Sequence, residues 1–147
     1  SAKKCANALI KSDSASWRQA GYTLLGTAEE AAGSYSAAID AYRKAMAEDA
    51  NVADVAIASL KLGVLEFRAG EYEKAEATLK RAVTLNTADA SARALAYVTL
   101  AENSAAKKDI RNAHAYATVV VSLFDDKAIV ERAKKILDLK NGAKEGE

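Results

Sequence analysis

Few residues in this chain are of types that carry out covalent chemistry. His114 is the only histidine and Cys5 the only cysteine among 147 residues. A histidine base or ligand needs a nucleophile, a carboxylate or a second ligand at matching spacing, and His114 is flanked by Ala113 and Ala115. It reads as a partly exposed helix residue. Cys5 lies with Ala8 and Leu9 on the apolar side of a short helix and reads as a small packing residue. The doublets Glu29-Glu30 and Asp125-Asp126 suggest paired carboxylates. Adjacent helical residues point about 100° apart, however, which breaks an acid–base dyad. Asp125-Asp126 fits a helix N-cap better, and Glu29-Glu30 a solvated face. No GxxxxGK[ST] or GxGxxG loop is present to cradle a phosphate. The chain therefore offers recognition rather than catalysis, with no cofactor and no metal.

Charge narrows what is recognised. The 21 basic and 20 acidic residues are interleaved, for a formal net charge of +1, and this balance lacks the basic footprint of a nucleic-acid binder. The longest nonpolar run, 113–124, is interrupted by His114, Thr118 and Ser122, well short of the ~18 uninterrupted apolar residues of a membrane span. No membrane insertion is expected. The lone cysteine forms no internal disulfide and leaves the compartment open. The chain opens Ser1-Ala2 rather than on methionine, consistent with removal of an upstream segment.

Alanine is abundant and proline absent, a composition that favours closely packed helices. Apolar spacing and breakers predict eight of them, over about 2–11, 16–32, 35–47, 51–69, 72–85, 89–106, 109–123 and 126–139. Ser16 stands three residues before Gln19, the spacing of a capping box that would open the second helix. Trp17, in its first turn, is expected to seal the N-terminal helix against the second and third helices. In the last helix Ile129, Ala133, Ile136 and Leu137 share one face, opposite charged residues that include a Glu131–Lys135 pair. That helix reads as a cap. The glycine- and lysine-containing 141–147 reads as a frayed tail.

A motif recurs along these helices. Gly33-Ser34-Tyr35-x-x-Ala38 returns as Gly70-Glu71-Tyr72-x-x-Ala75, and more faintly as Lys108-Asp109-Ile110-x-x-Ala113, at offsets of 37 and 38 residues. Gly26, Gly63 and Ala101 keep the same register. A period of this length signals stacked supersecondary units. The small residues let antiparallel helices cross closely, while Tyr22, Leu25, Tyr42, Leu62, Tyr72 and Leu79 fill the gaps between them.

Tyr22-x2-Leu25-Gly26-x2-Glu29 with Ala38-x3-Tyr42, and Ser59-x2-Leu62-Gly63-x2-Glu66 with Ala75-x3-Leu79, resemble the tetratricopeptide repeat family. A degenerate third copy reads Tyr97-x2-Leu100-Ala101-x2-Ser104 with Ala113-x3-Ala117. The family's terminal proline is missing, with Ala50, Thr87 and Asp125 near its place, and each repeat is three or four residues longer than the family's usual length. The resemblance implies an all-α, right-handed α-solenoid of about three helical hairpins with a single flanking helix at each end. As one domain over 1–147 it divides into an N-terminal helix (1–15), repeats at 16–50, 51–87 and 88–125, a cap (126–140) and the tail (141–147). The first helix resembles the second half of a repeat whose first half is missing.

The resemblance also implies a non-catalytic protein–protein interaction module, with the first helix of each pair lining a concave groove. Carried over by position, the groove takes Thr23, Thr27 and Glu30 from the first repeat, Leu60, Val64, Phe67 and Arg68 from the second, and Leu95, Val98 and Glu102 from the third. Its partner would be a protein, held through a peptide or helix by a mainly apolar surface. The Lys, Arg and Asn clamp with which family members hold a peptide carboxylate is replaced mostly by Thr, Leu and Val. The helix carrying Leu60 is apolar on two faces, which fits either a partner groove or burial between neighbouring helices. The alternative function is structural, through a homo-oligomer or docking against neighbouring repeats.

Overall fold

The computed structural model describes residues 1–85 and 89–140; the expected tail and the expected boundary at residue 87 lie outside them. Eight α-helices and no strand occur among the described residues. They are α1 (Ala2–Ile10), α2 (Ala15–Ala31), α3 (Tyr35–Glu48), α4 (Val52–Arg68), α5 (Tyr72–Thr84), α6 (Ala90–Ala106), α7 (Ile110–Leu123) and α8 (Lys127–Leu137). Each packs most closely on its chain neighbours, so α2/α3, α4/α5 and α6/α7 form three stacked hairpins. This is a helical-repeat solenoid.

The repeating motif is a turn and a crossing. At each turn a residue in the left-handed region reverses the chain: Gly33 at φ +78°, Gly70 at +79° and Lys108 at +67°. The amide after each donates back to the preceding helix, Ser34 to Glu29 O (2.8 Å), Glu71 to Glu66 O (2.9 Å) and Asp109 to Ser104 O (2.9 Å). These bonds cap otherwise orphaned carbonyls. Glycine adopts that conformation without a Cβ penalty, whereas Lys108 is strained in it.

The crossings explain the other small residues. A Cβ placed on Gly26 would meet the Tyr42 ring at 2.5 Å, and one on Gly63 would meet Leu79 at 2.5 Å. Tyr42 and Leu79 are fully buried there. In the third hairpin the equivalent residues are Ala101 and Ala117, both fully buried in one cluster with Ala113 and Val120. As the small residue grows from glycine to alanine, its opposite number shrinks from tyrosine or leucine to alanine, so the third crossing is made by two small residues instead of a glycine facing a large side chain.

Several local expectations need correction. The N-cap of α2 is Ser14, accepting from Trp17 N, so Ser16 and Gln19 form no capping box. Gln19 is buried instead: its Nε2 donates to Ala45 O (3.1 Å) and its Oε1 accepts from Asn51 N (2.8 Å). It ties the first hairpin to the start of α4. Trp17 is 59% exposed and seals nothing. The tight contact between α1 and α2 falls at Gly21, where a Cβ would meet Leu9 Cβ at 2.8 Å and Ile10 N at 2.9 Å. Within α1, Ala6 is the buried residue and Cys5 is exposed. Glu29 and Glu30 do not form a solvated face: Glu29 is buried and pairs with Lys3, and Glu30 accepts from Tyr42. At the far end Ile129, Ala133 and Ile136 are buried against α6 and α7, and Glu131 pairs with Lys134 rather than Lys135.

Candidate binding cleft

The cleft lies between the first helices of the second and third hairpins. Asn51 caps α4 through Asp54 N, and Asp89 caps α6 through Ser91 N and Ala92 N. These caps fix where two parallel faces begin. The α4 face presents Val52, Ala56, Ile57, Leu60 and Val64, and the α6 face presents Ala92, Leu95 and Ala96. Ala82 and Leu85 complete the wall. They enclose about 810 Å³, within the size range of sites that bury a ligand. Ile57 and Val52 are 45% and 65% exposed, uncommon for residues of this size.

Charged groups ring this apolar space. Glu30, Lys61, Arg68, Asp89 and Arg93 all border it. Glu30 is engaged by the Tyr42 hydroxyl, which donates to Oε1 at 2.9 Å. Burial raises the Tyr42 pKa well above the ordinary phenol value, so the hydroxyl stays a proton donor. Asp89 is engaged in its cap. The Arg93 guanidinium lies 6.0 Å over the Phe124 ring, within cation–π range.

Of the ten groove residues expected from the sequence, Glu30, Leu60, Val64, Arg68 and Leu95 border this cleft. The other five lie elsewhere. Thr23 and Thr27 turn their hydroxyls back onto α2, donating to Gln19 O (2.9 Å) and Thr23 O (3.1 Å). Phe67 is half-buried against the Ala75–Leu79–Leu100 cluster, its ring 6.1 Å from Tyr72. Val98 is fully buried in the cluster that includes Ile129, Ala133 and Ile136 of α8. Glu102 accepts from Arg132 of α8 at both carboxylate oxygens. The helix read as a cap packs on both α7 and α6, and it withdraws Val98 and Glu102 from any groove.

Val52, Ala56, Lys61, Asp89, Ala92, Arg93 and Ala96 border the cleft without having been expected there, as does Ile57. Ile57 carried a signal, since it shares the α4 stripe with Leu60 and Val64. The first turns of α6 carried none, because their role follows from the lateral placement of α6 beside α4. The His114 ring donates from Nε2 to the backbone carbonyl of Leu139 at 2.8 Å. Among the described residues no three His, Cys, Asp or Glu side chains converge as a metal site requires. No described helix is long and apolar enough to cross a membrane.

Residues 30–97, from the last turn of α2 through the first half of α6, match the tetratricopeptide repeat family. The match covers just under half of the chain. It contains the whole second hairpin and every described residue of the cleft wall. No curated protein and no solved structure matches the chain significantly. Repeats of this family generally mediate protein–protein interactions and are typically non-catalytic.

Proposed function

We propose that the chain is a non-catalytic interaction module that holds an apolar segment of a partner protein in the cleft between α4 and α6. The observation that carries this reading is the pairing of partly exposed Ile57, Leu60, Val64 and Leu95 around about 810 Å³ of space. Elsewhere on the first helices the corresponding surface is hydroxyl-bearing, as at Thr23 and Thr27, or covered, as at Val98. Apolar area removed from water contributes roughly 25 cal/mol per Å² before the costs of association. An apolar wall is therefore where affinity would originate, with Arg68 at the rim fixing orientation.

The test is a peptide-display selection on the wild-type chain, followed by binding of the recovered peptides to an Ile57→Glu variant. Ile57 packs in none of the buried clusters, so the variant should melt within about two degrees of wild type. Peptides should lose at least tenfold in affinity. Recovered peptides that bind the variant equally would place recognition outside the cleft.

A further inference from the structure

We propose that the cleft selects a helical partner segment that is acidic along one edge, with two carboxylates one heptad apart; this rests on the reading of the cleft as a binding site. Lys61 and Arg68 stand seven residues apart on α4 and both border the cleft. Seven residues are close to two helical turns, so both cations lie on one edge of the α4 face. Ile57, Leu60 and Val64 run beside them at helical spacing.

The cations of the cleft differ from most of those that join the layers. Arg18 is matched to Glu48, Arg43 to Glu66 and Glu71, Lys107 to Glu73 and Glu76, and Arg132 to Glu102. Lys61 and Arg68 have no carboxylate within ion-pair distance among the described residues. The two carboxylates that share the rim are already occupied, Glu30 by the Tyr42 hydroxyl and Asp89 by the amides of Ser91 and Ala92. Those neutral donors leave both carboxylates charged, but three cations, Lys61, Arg68 and Arg93, border the cleft against the two, so the balance around the apolar wall is positive. An acidic partner edge would meet Lys61 and Arg68, and a basic edge would bring like charges together beside a low-dielectric surface.

The shape argues for a helix. Two parallel helix faces with side chains at three- and four-residue spacing form a trough into which a third helix packs by its own apolar stripe. A helix lying along α4 repeats its edge every seven residues, which matches the separation of Lys61 and Arg68.

The experiment uses a pool of 16-residue helix-forming peptides, capped at both ends. Two positions seven apart are both Glu, both Gln or both Lys, and the apolar face varies over Ala, Val, Leu and Phe. The pool is passed over the immobilised full chain at low and at high salt, and the retained peptides are counted by mass spectrometry. Glu members should be enriched at least tenfold over Lys members at low salt, and high salt should narrow the gap. A Lys61→Glu/Arg68→Glu variant should reverse the preference, and Lys61→Gln/Arg68→Gln should abolish it. Lys135→Glu, on exposed α8, should leave it unchanged. Circular dichroism checks that each variant is folded. Equal retention of Glu and Lys members would overturn the charge rule and leave the cleft reading standing. Retention of no member above an Ile57→Glu control would overturn both.

Discussion

The two sides of α4 make the most instructive comparison in the molecule. Toward α5, Gly63 meets Leu79 so closely that a single added methyl group has no room. Toward α6, Ile57, Leu60 and Val64 border open space. Both sides are apolar, and hydrophobicity alone does not separate them. What separates them is the partner: one side has a helix in the same hairpin at close range, the other a helix from the next hairpin held off by the stacking. The first side builds the fold, and the second is the one we propose for recognition.

The comparison is broken most severely from the packed side. Leu79→Ala should cost about 2–5 kcal/mol, read by denaturant unfolding, because Leu79 is fully buried and its crossing cannot close around the void. Gly63→Ala should cost about 1–3 kcal/mol through overpacking against Leu79. Combining the two should cost less than their sum, since each change makes room for or fills the other. An additive double variant would mean that the crossing has slack. Phe67→Glu should lower the melting temperature by several degrees, because Phe67 packs on the Ala75–Leu79–Leu100 cluster rather than bordering the cleft.

The turns give a smaller, opposite effect. Lys108→Gly should raise stability by roughly 0.5–1 kcal/mol, because glycine relieves the positive φ that Gly33 and Gly70 already accommodate. The smallest change expected is in acid. Hydrogen bonds from Lys107 and Lys80 hold the Glu76 carboxyl below its ordinary range, and Arg18 does the same for Glu48. A depressed folded pKa gives stability that is fully present above the unfolded carboxylate value of about 4.3 and lost as pH falls through the folded value. Melting temperature should therefore decline below about pH 4.5, with a shallower slope in Glu76→Gln. Glu48 and Glu76 both remain partly exposed, so solvent screening should keep the effect modest.

The fold was legible because its determinants are local and repeated. Gly33 and Gly70 mark turns, Gly26 and Gly63 mark crossings, and a period in the sequence exposes both. The third hairpin read as degenerate because the signature records a glycine facing a large side chain, whereas its crossing is made by the small pair Ala101 and Ala117. The cleft was half legible. Leu60 and Val64 stand out on α4 itself, but Val98 and Glu102 occupy equivalent positions and are covered by α8, a long-range placement that no local spacing records. Gln19 misled for a related reason. Its spacing from Ser16 imitates a cap, while its actual partners, Ala45 and Asn51, are distant in sequence.

Backbone amide chemical-shift mapping with a peptide recovered by selection tests the central claim most directly. Binding through the cleft predicts perturbations concentrated on residues 52–68 of α4 and 89–96 at the start of α6, with Thr23 and Thr27 unmoved. Perturbations centred instead on α2, on exposed Trp17 or on α8 would contradict the assignment of recognition to the open side of α4.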